Sequence, residues 1–127
     1  MNYDFTVQTQ KSFDEAVTSV TLATEQAGFR VLHIHNVQET LNNKGFSIES
    51  LKTIEVCNAK NAYEAIQKNI ALALMLPCKI NVYVQKGAVF ISALRPAVIT
   101  KLFPDIELDD LVADVDKKLT EIVEQAK

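Results

Sequence analysis

The sequence has few of the features that mark a disordered, membrane-spanning or nucleic-acid-binding chain. Its 127 residues include only three glycines and three prolines, so we predict no long disordered stretch. The most apolar run covers residues 70–77, whereas a membrane helix needs roughly 20 residues. The net charge is −3 and no basic run is present, which argues against nucleic acid and anionic membranes as partners.

The sequence also offers little support for export. Its N-terminus has no positively charged segment followed by an apolar one, so we expect no signal peptide. Two cysteines are too few for a disulfide framework, and in the cytoplasm they are expected to be free thiols. The sequence therefore predicts a soluble, cytoplasmic protein.

Motifs of known catalytic and cofactor sites are absent. There is no CxxC, HxxxH, GxGxxG or P-loop sequence, and no Ser-His-Asp order stands out. We therefore assign no catalytic residue, and the sequence requires no cofactor. The absence of these motifs favours a protein that is not an enzyme. The length predicts one domain over residues 1–127, large enough to bury a core without disulfides or metal.

Hydrophobic spacing predicts the elements of the first third of the chain. Residues 3–9 alternate between apolar and polar, which is typical of a half-buried strand. Ser12 and Glu15 form a capping box in front of a helix that Gly28 ends. A second strand is predicted over residues 29–36, and a short helix with Asn36 as its cap follows.

The remaining pattern predicts strands over residues 51–57, 79–85 and 88–94, the last two joined by a Lys86-Gly87 turn. A helix capped by Asn58 or Asn61 runs to about residue 76 and ends at Pro77. The last helix covers about residues 108–125. The fold class is α+β: a mainly antiparallel sheet of about five strands with helices packed on one face, in the order β-α-β-β-α-β-β-α.

Three side chains are weak candidates for a metal site. His33 and His35 are two residues apart on a strand and therefore share a face, with Leu32 and Ile34 on the core face. Glu55 shares a face with Cys57 on the third strand, so pairing of these strands would bring the candidate ligands together. The alternative is that these histidines are ordinary solvated surface residues.

The two cysteines have two interpretations. Cys57 ends a strand just before a helix, and a helix N-terminus can lower the pKa of a thiol. Cys78 follows Pro77 at the start of the hairpin. The alternative is that both are small buried apolar side chains.

The segments Cys57-Asn58 and Leu76-Pro77-Cys78, together with residues 28–32 (GFRVL), resemble the "domain of unknown function 302" family. The likeness covers residues 5 to about 94. Ala59 departs from the pattern, because the family often has proline there. The resemblance implies an antiparallel sheet backed by helices and a homodimer, and it implies no activity. It makes Cys57, Asn58, Leu76, Pro77 and Cys78 candidate ligand-binding residues.

Four functions remain open at this point. The first is a homodimeric module that binds a small molecule in an apolar pocket with a few polar groups, namely Asn58 and the two thiols. The second is a thiol-dependent redox or sulfur-handling function of Cys57, Cys78 or both. The third is a metal- or haem-binding protein, and the fourth is a purely structural or interaction role through a dimer face.

Overall fold

Five strands form a single antiparallel sheet in the computed structural model, which describes residues 3–127. They lie side by side in the order β1-β5-β4-β3-β2, and each neighbouring pair is antiparallel. The predicted α+β class and antiparallel sheet are confirmed. The strands are β1 (Asp4–Thr9), β2 (Arg30–Asn36), β3 (Leu51–Cys57), β4 (Cys78–Gln85) and β5 (Ala88–Leu94).

Helices connect the strands and close one side of the sheet. They are α1 (Phe13–Gln26), α2 (Val37–Asn42), α3 (Ala59–Lys68), a 3₁₀ helix (Ile70–Met75), α4 (Ala97–Leu102) and α5 (Asp109–Ala126). Side chains of α1 and α5 form one core with side chains of the sheet. We call the face of the sheet opposite to α1 and α5 the outer face. The fully buried members of the core include Val20, Ile54, Val56, Ile80, Val82, Ile91, Ile122 and Val123.

The predicted helix signals at residues 12–28 are confirmed. The Ser12 hydroxyl accepts a hydrogen bond from the Glu15 amide at 3.2 Å, and the Ser12 amide donates to the Glu15 carboxylate at 3.1 Å. This reciprocal pair satisfies two amide groups that have no partner inside the helix. Gly28 has φ +82, a conformation that favours glycine, and the chain turns there into β2.

The helix predicted to run to about residue 76 is shorter than expected. It ends at Lys68, and Asn69 is extended, with its side chain accepting a hydrogen bond from the Ala71 amide at 2.9 Å. An asparagine side chain bonded to nearby backbone competes with the helical ladder, which explains the break. Residues 70–75 continue as the 3₁₀ helix, with Leu72 buried.

The prediction that Leu32 faces the core was wrong, whereas Ile34 does lie on the core face, opposite the buried Ile54, at the open edge of the sheet. β2 is an edge strand, and its register with β3 shifts between Val31 and His33. Leu32 lies in this bulge and is 53% exposed, while Ile34 is 38% exposed. A bulge removes one residue from the ladder and turns its side chain away from the regular alternation.

Candidate functional site

The Cys-Asn and Leu-Pro-Cys segments lie together at one end of the sheet. Cys57 ends β3, Cys78 begins β4, and the register pairs Cys78 with Val56, the residue before Cys57. Both thiols are free. The structure therefore brings two segments that are about twenty residues apart in the sequence onto neighbouring strands.

Asn58 has a clear structural task at this junction. Its side-chain oxygen accepts from the Asn61 amide at 3.1 Å, which makes Asn58 the N-cap of α3. Its side-chain amide donates to the Gly28 carbonyl at 3.4 Å. Asn58 thus fixes the turn from β3 into α3 and ties it to the end of the α1–β2 connection.

A small apolar cavity, which we call the inner cavity, lies behind this junction. It is lined by residues of the sheet, α3, the 3₁₀ helix, α4 and α5, and its volume is about 60 Å³. Cys57, Asn58, Leu76 and Cys78 are among its lining residues. Pockets for drug-sized ligands measure about 300–1,000 Å³. The inner cavity therefore has room for a few water molecules or a very small apolar group, and not for a metabolite.

The environment of the two thiols favours their neutral form. Burial raises the pKa of Cys57 above its ordinary value. Burial and the nearby Cys57 raise the pKa of Cys78 to about 11. Low-polarity surroundings disfavour the charged thiolate, and burial is the largest cause of both shifts. Both shifts are opposite to those of an activated nucleophile.

A larger concave site, which we call the outer groove, lies on the outer face of the sheet. Its volume is about 580 Å³, within the range of small-molecule sites. The segment before β4 and the start of α4 form one wall, and side chains of the strands form the floor. Its lining includes Leu74, Leu76, Pro77, Cys78 and Ile99 in the wall and Asp4, His35, Thr53, Glu55, Lys79, Asn81, Ser92 and Leu94 on the strands.

Short polar side chains form a continuous row across all five strands on the outer face. The pairing register aligns Thr6 with Ser92, Ser92 with Asn81, Asn81 with Thr53, and Thr53 with His35. We call these five residues the polar row. The hydroxyl groups of Thr6 and Ser92 are 2.6 Å apart and share a hydrogen bond. Four members of the polar row, all except Thr6, line the outer groove.

Asn81, at the centre of the polar row, has an unsatisfied group. Its side-chain oxygen is buried and has no hydrogen-bond partner among residues 3–127. An unpaired buried polar atom costs about 1–3 kcal/mol, so a partner supplied from outside would stabilise this side chain. The same holds for the buried side-chain nitrogen of Asn61, which lines the inner cavity.

The candidate metal ligands are only partly brought together. β2 pairs with β3 as expected, and His33 lies opposite Glu55. The two imidazole rings stack with their centroids 6.3 Å apart, and His35 Nε2 lies 2.9 Å from the Thr40 hydroxyl. Within residues 3–127, no group of three His, Cys, Asp or Glu side chains is placed to hold a metal ion. His35 and Glu55 line the outer groove instead.

Sequence reasoning missed the polar row. Its members are polar residues at alternate positions of strands that carry other polar residues as well, a pattern that also describes an ordinary solvated strand face. Their alignment depends on the register of four strand pairs, which the spacing along the chain does not reveal.

No helix among the described residues is both long and apolar enough to cross a membrane.

Comparison with known proteins identifies the family. The search of curated proteins found no match. The crystal structure of the uncharacterized conserved protein DUF302 from Bacillus stearothermophilus matches with a TM-score of 0.93 and 26% identity, over 100% of both chains. The family model "Domain of unknown function DUF302" matches residues 5–126. The chain therefore belongs to the DUF302 family.

Proposed function

We propose that residues 1–127 form a single domain that binds a small molecule in the outer groove. The supporting observation is the groove itself: a site of about 580 Å³ with an apolar wall over a polar floor. Ligand sites are typically apolar clefts in which a few placed polar groups fix the orientation of the ligand. Three of the candidate residues, Leu76, Pro77 and Cys78, lie in its wall.

The other two candidates, Cys57 and Asn58, support this wall from behind. Both line the inner cavity, and Leu76 and Cys78 line the inner cavity and the outer groove alike. In this proposal Asn58 holds the start of α3, and the packing around Cys57 holds the Leu76–Cys78 segment in place. Neither side chain needs to touch the ligand.

A fragment screen followed by amide chemical shifts tests this proposal. We expect hits to perturb the amides of the polar row and of residues 74–79. Leu94→Arg places a long charged side chain in the groove and should abolish these perturbations. Leu22→Arg is the matched control, because Leu22 and Leu94 are similarly exposed (54% and 45%) and Leu22 lies on α1, outside the groove lining. Hits that bind equally to both variants, or no hits at all, would reject the outer groove as the site.

We also propose that the protein is a homodimer. Support comes from the edge strand β2, whose unpaired edge carries the exposed Leu32 and Ile34. Phe46 and Ile48, in the segment between α2 and β3, are exposed too. Such apolar exposure at an open sheet edge is typical of an interaction surface. Light scattering during size-exclusion chromatography should give twice the chain mass of 14.1 kDa, and the Leu32→Lys variant should elute as a monomer.

A cytoplasmic location belongs to the same proposal, supported by two free thiols that a reducing compartment would preserve. Fractionation of cells that express the protein tests it.

The thiol-dependent alternative has less support, because burial raises the pKa of both cysteines. The metal or haem alternative rests on His33, His35 and Glu55, of which only the last two line the groove. Elemental analysis and an absorption spectrum of the purified protein test that alternative.

A further inference from the structure

We infer that the ligand of the outer groove is a protonated amine attached to an apolar body. This inference rests on the proposed function, because it names the chemical class that the same groove would take. Three features of the groove support it: its excess of carboxylates over ammonium groups, its unsatisfied acceptor, and its exposed hydrocarbon wall.

The first feature is the charge of the lining. It contains two carboxylates, Asp4 and Glu55, and one ammonium group, Lys79. The ion pairs found among residues 3–127 are Arg95–Asp116 and Lys118–Asp114, so neither carboxylate of the groove is in one. In the strand register, Lys79 lies opposite Glu55. The residue opposite Asp4 is Leu94, so Asp4 has no basic partner across the ladder. With two carboxylates and one ammonium group, the lining favours a cation.

The second feature is the supply of hydrogen-bond acceptors on the floor. Asn81 lines the groove, and its side-chain oxygen is buried without a donor among residues 3–127. Thr53 and Ser92 flank Asn81 in the register, and their hydroxyl oxygens also accept hydrogen bonds. An ammonium group carries three donors and no acceptor, which matches a floor of carboxylate, amide and hydroxyl oxygens.

The third feature is the wall. Leu74 is 84% exposed although it lies beside the groove, and Tyr3 and Leu94 at the rim are exposed as well. Leu76, Pro77 and Ile99 extend this apolar surface towards the floor. A hydrocarbon body lying along the wall would remove these side chains from water while its amine points to the polar row.

Three probes of equal chain length separate the charge from the hydrocarbon: n-hexylamine, 1-hexanol and hexanoate. Each is titrated at pH 7 into the full-length protein, and amide chemical shifts give its affinity and location. We expect hexylamine to bind about fivefold more tightly than hexanol, since hydrogen bonds to a charged group are about 1 kcal/mol stronger than neutral ones. Hexanoate should bind most weakly. In every case the shifts should lie in the polar row and in residues 74–79.

Two variants connect this preference to the carboxylates. Asp4→Asn and Glu55→Gln should each reduce the preference for hexylamine over hexanol, whereas Glu25→Gln, an exposed residue of α1, should leave it unchanged. Hexanol or hexanoate binding as tightly as hexylamine would overturn the inference and leave the groove standing as the site. If no probe shifts the groove amides, the inference also fails, and the fragment screen then decides separately whether the groove binds anything.

Discussion

The thiol of Cys78 should react with iodoacetamide about 10- to 15-fold more slowly in the folded protein than in the unfolded chain. Burial, together with the nearby Cys57, raises the pKa of Cys78 from 9.0 to about 11. The thiolate fraction at pH 7.5 therefore falls about 100-fold. A more basic thiolate is a better nucleophile, with a Brønsted coefficient of about 0.4–0.5, which recovers a factor of about 6 to 10.

The measurement uses the Cys57→Ser variant, so that Cys78 is the only thiol. Mass spectrometry follows the alkylation rate between pH 7 and 12, first in buffer and then in guanidinium chloride. The alkylation rate of the folded protein should rise with pH with an apparent pKa near 11. This pKa should be slightly lower than in the natural sequence, because the effect of the nearby Cys57 has been removed. The unfolded rate should rise with a pKa near 9.0.

A folded rate equal to or above the unfolded rate would refute this reasoning. It would mean that the environment of Cys78 stabilises the thiolate despite its burial, and it would restore the thiol-dependent function. The pH dependence of stability gives a second check. Because the pKa of Cys78 is higher in the folded protein than in the unfolded chain, its contribution to the free energy of unfolding is fully present below pH 9. That free energy should fall by about 2–3 kcal/mol as the pH rises from 9 towards 11. Cys78→Ala should remove most of that loss.

Three further changes should alter the free energy of unfolding, measured by urea denaturation. Arg95→Met breaks the two-bond ion pair with Asp116 (2.8 and 3.1 Å) and should destabilise the protein more than Lys118→Met, which breaks a single contact with the more exposed Asp114. Asn58→Ala removes the cap of α3 and should cost about 1 kcal/mol. Leu119→Ala opens the core and should cost about 2–5 kcal/mol. Equal effects of Arg95→Met and Lys118→Met would contradict the role given to the Arg95–Asp116 pair. An unchanged free energy of unfolding in Asn58→Ala would contradict the cap, and a loss below about 1 kcal/mol in Leu119→Ala would contradict the core packing.

Most of the fold could be predicted because its signals are local. The capping box at Ser12 and the Lys86-Gly87 turn each act within a few residues, and the structure has both. Both Lys86 and Gly87 have positive φ, as a two-residue hairpin turn of this kind requires. The alternating core positions of β3 were equally readable, since Ile54 and Val56 are fully buried.

The errors arose where neighbours in space override a local pattern. Leu32 and Ile34 alternate like core residues, yet β2 lies at the sheet edge and a bulge displaces Leu32. The apolar run of residues 70–75 resembles the continuation of a helix, yet the Asn69 side chain captures a backbone amide and ends α3 first. Neither the position of a strand in the sheet nor this competition is fixed by hydrophobic spacing.

For the candidate site, the sequence by itself singled out two segments, Cys57-Asn58 after one strand and Leu76-Pro77-Cys78 before another, through their resemblance to the family, and left open whether they lie close together. Only the tertiary structure decided what they enclose. The pairing of β3 with β4 places the two thiols around an inner cavity of about 60 Å³, and the register of all five strands assembles the polar row beneath an outer groove of about 580 Å³. Residues 6, 35, 53, 81 and 92 are far apart along the chain, and long-range strand pairing is what brings them into one row.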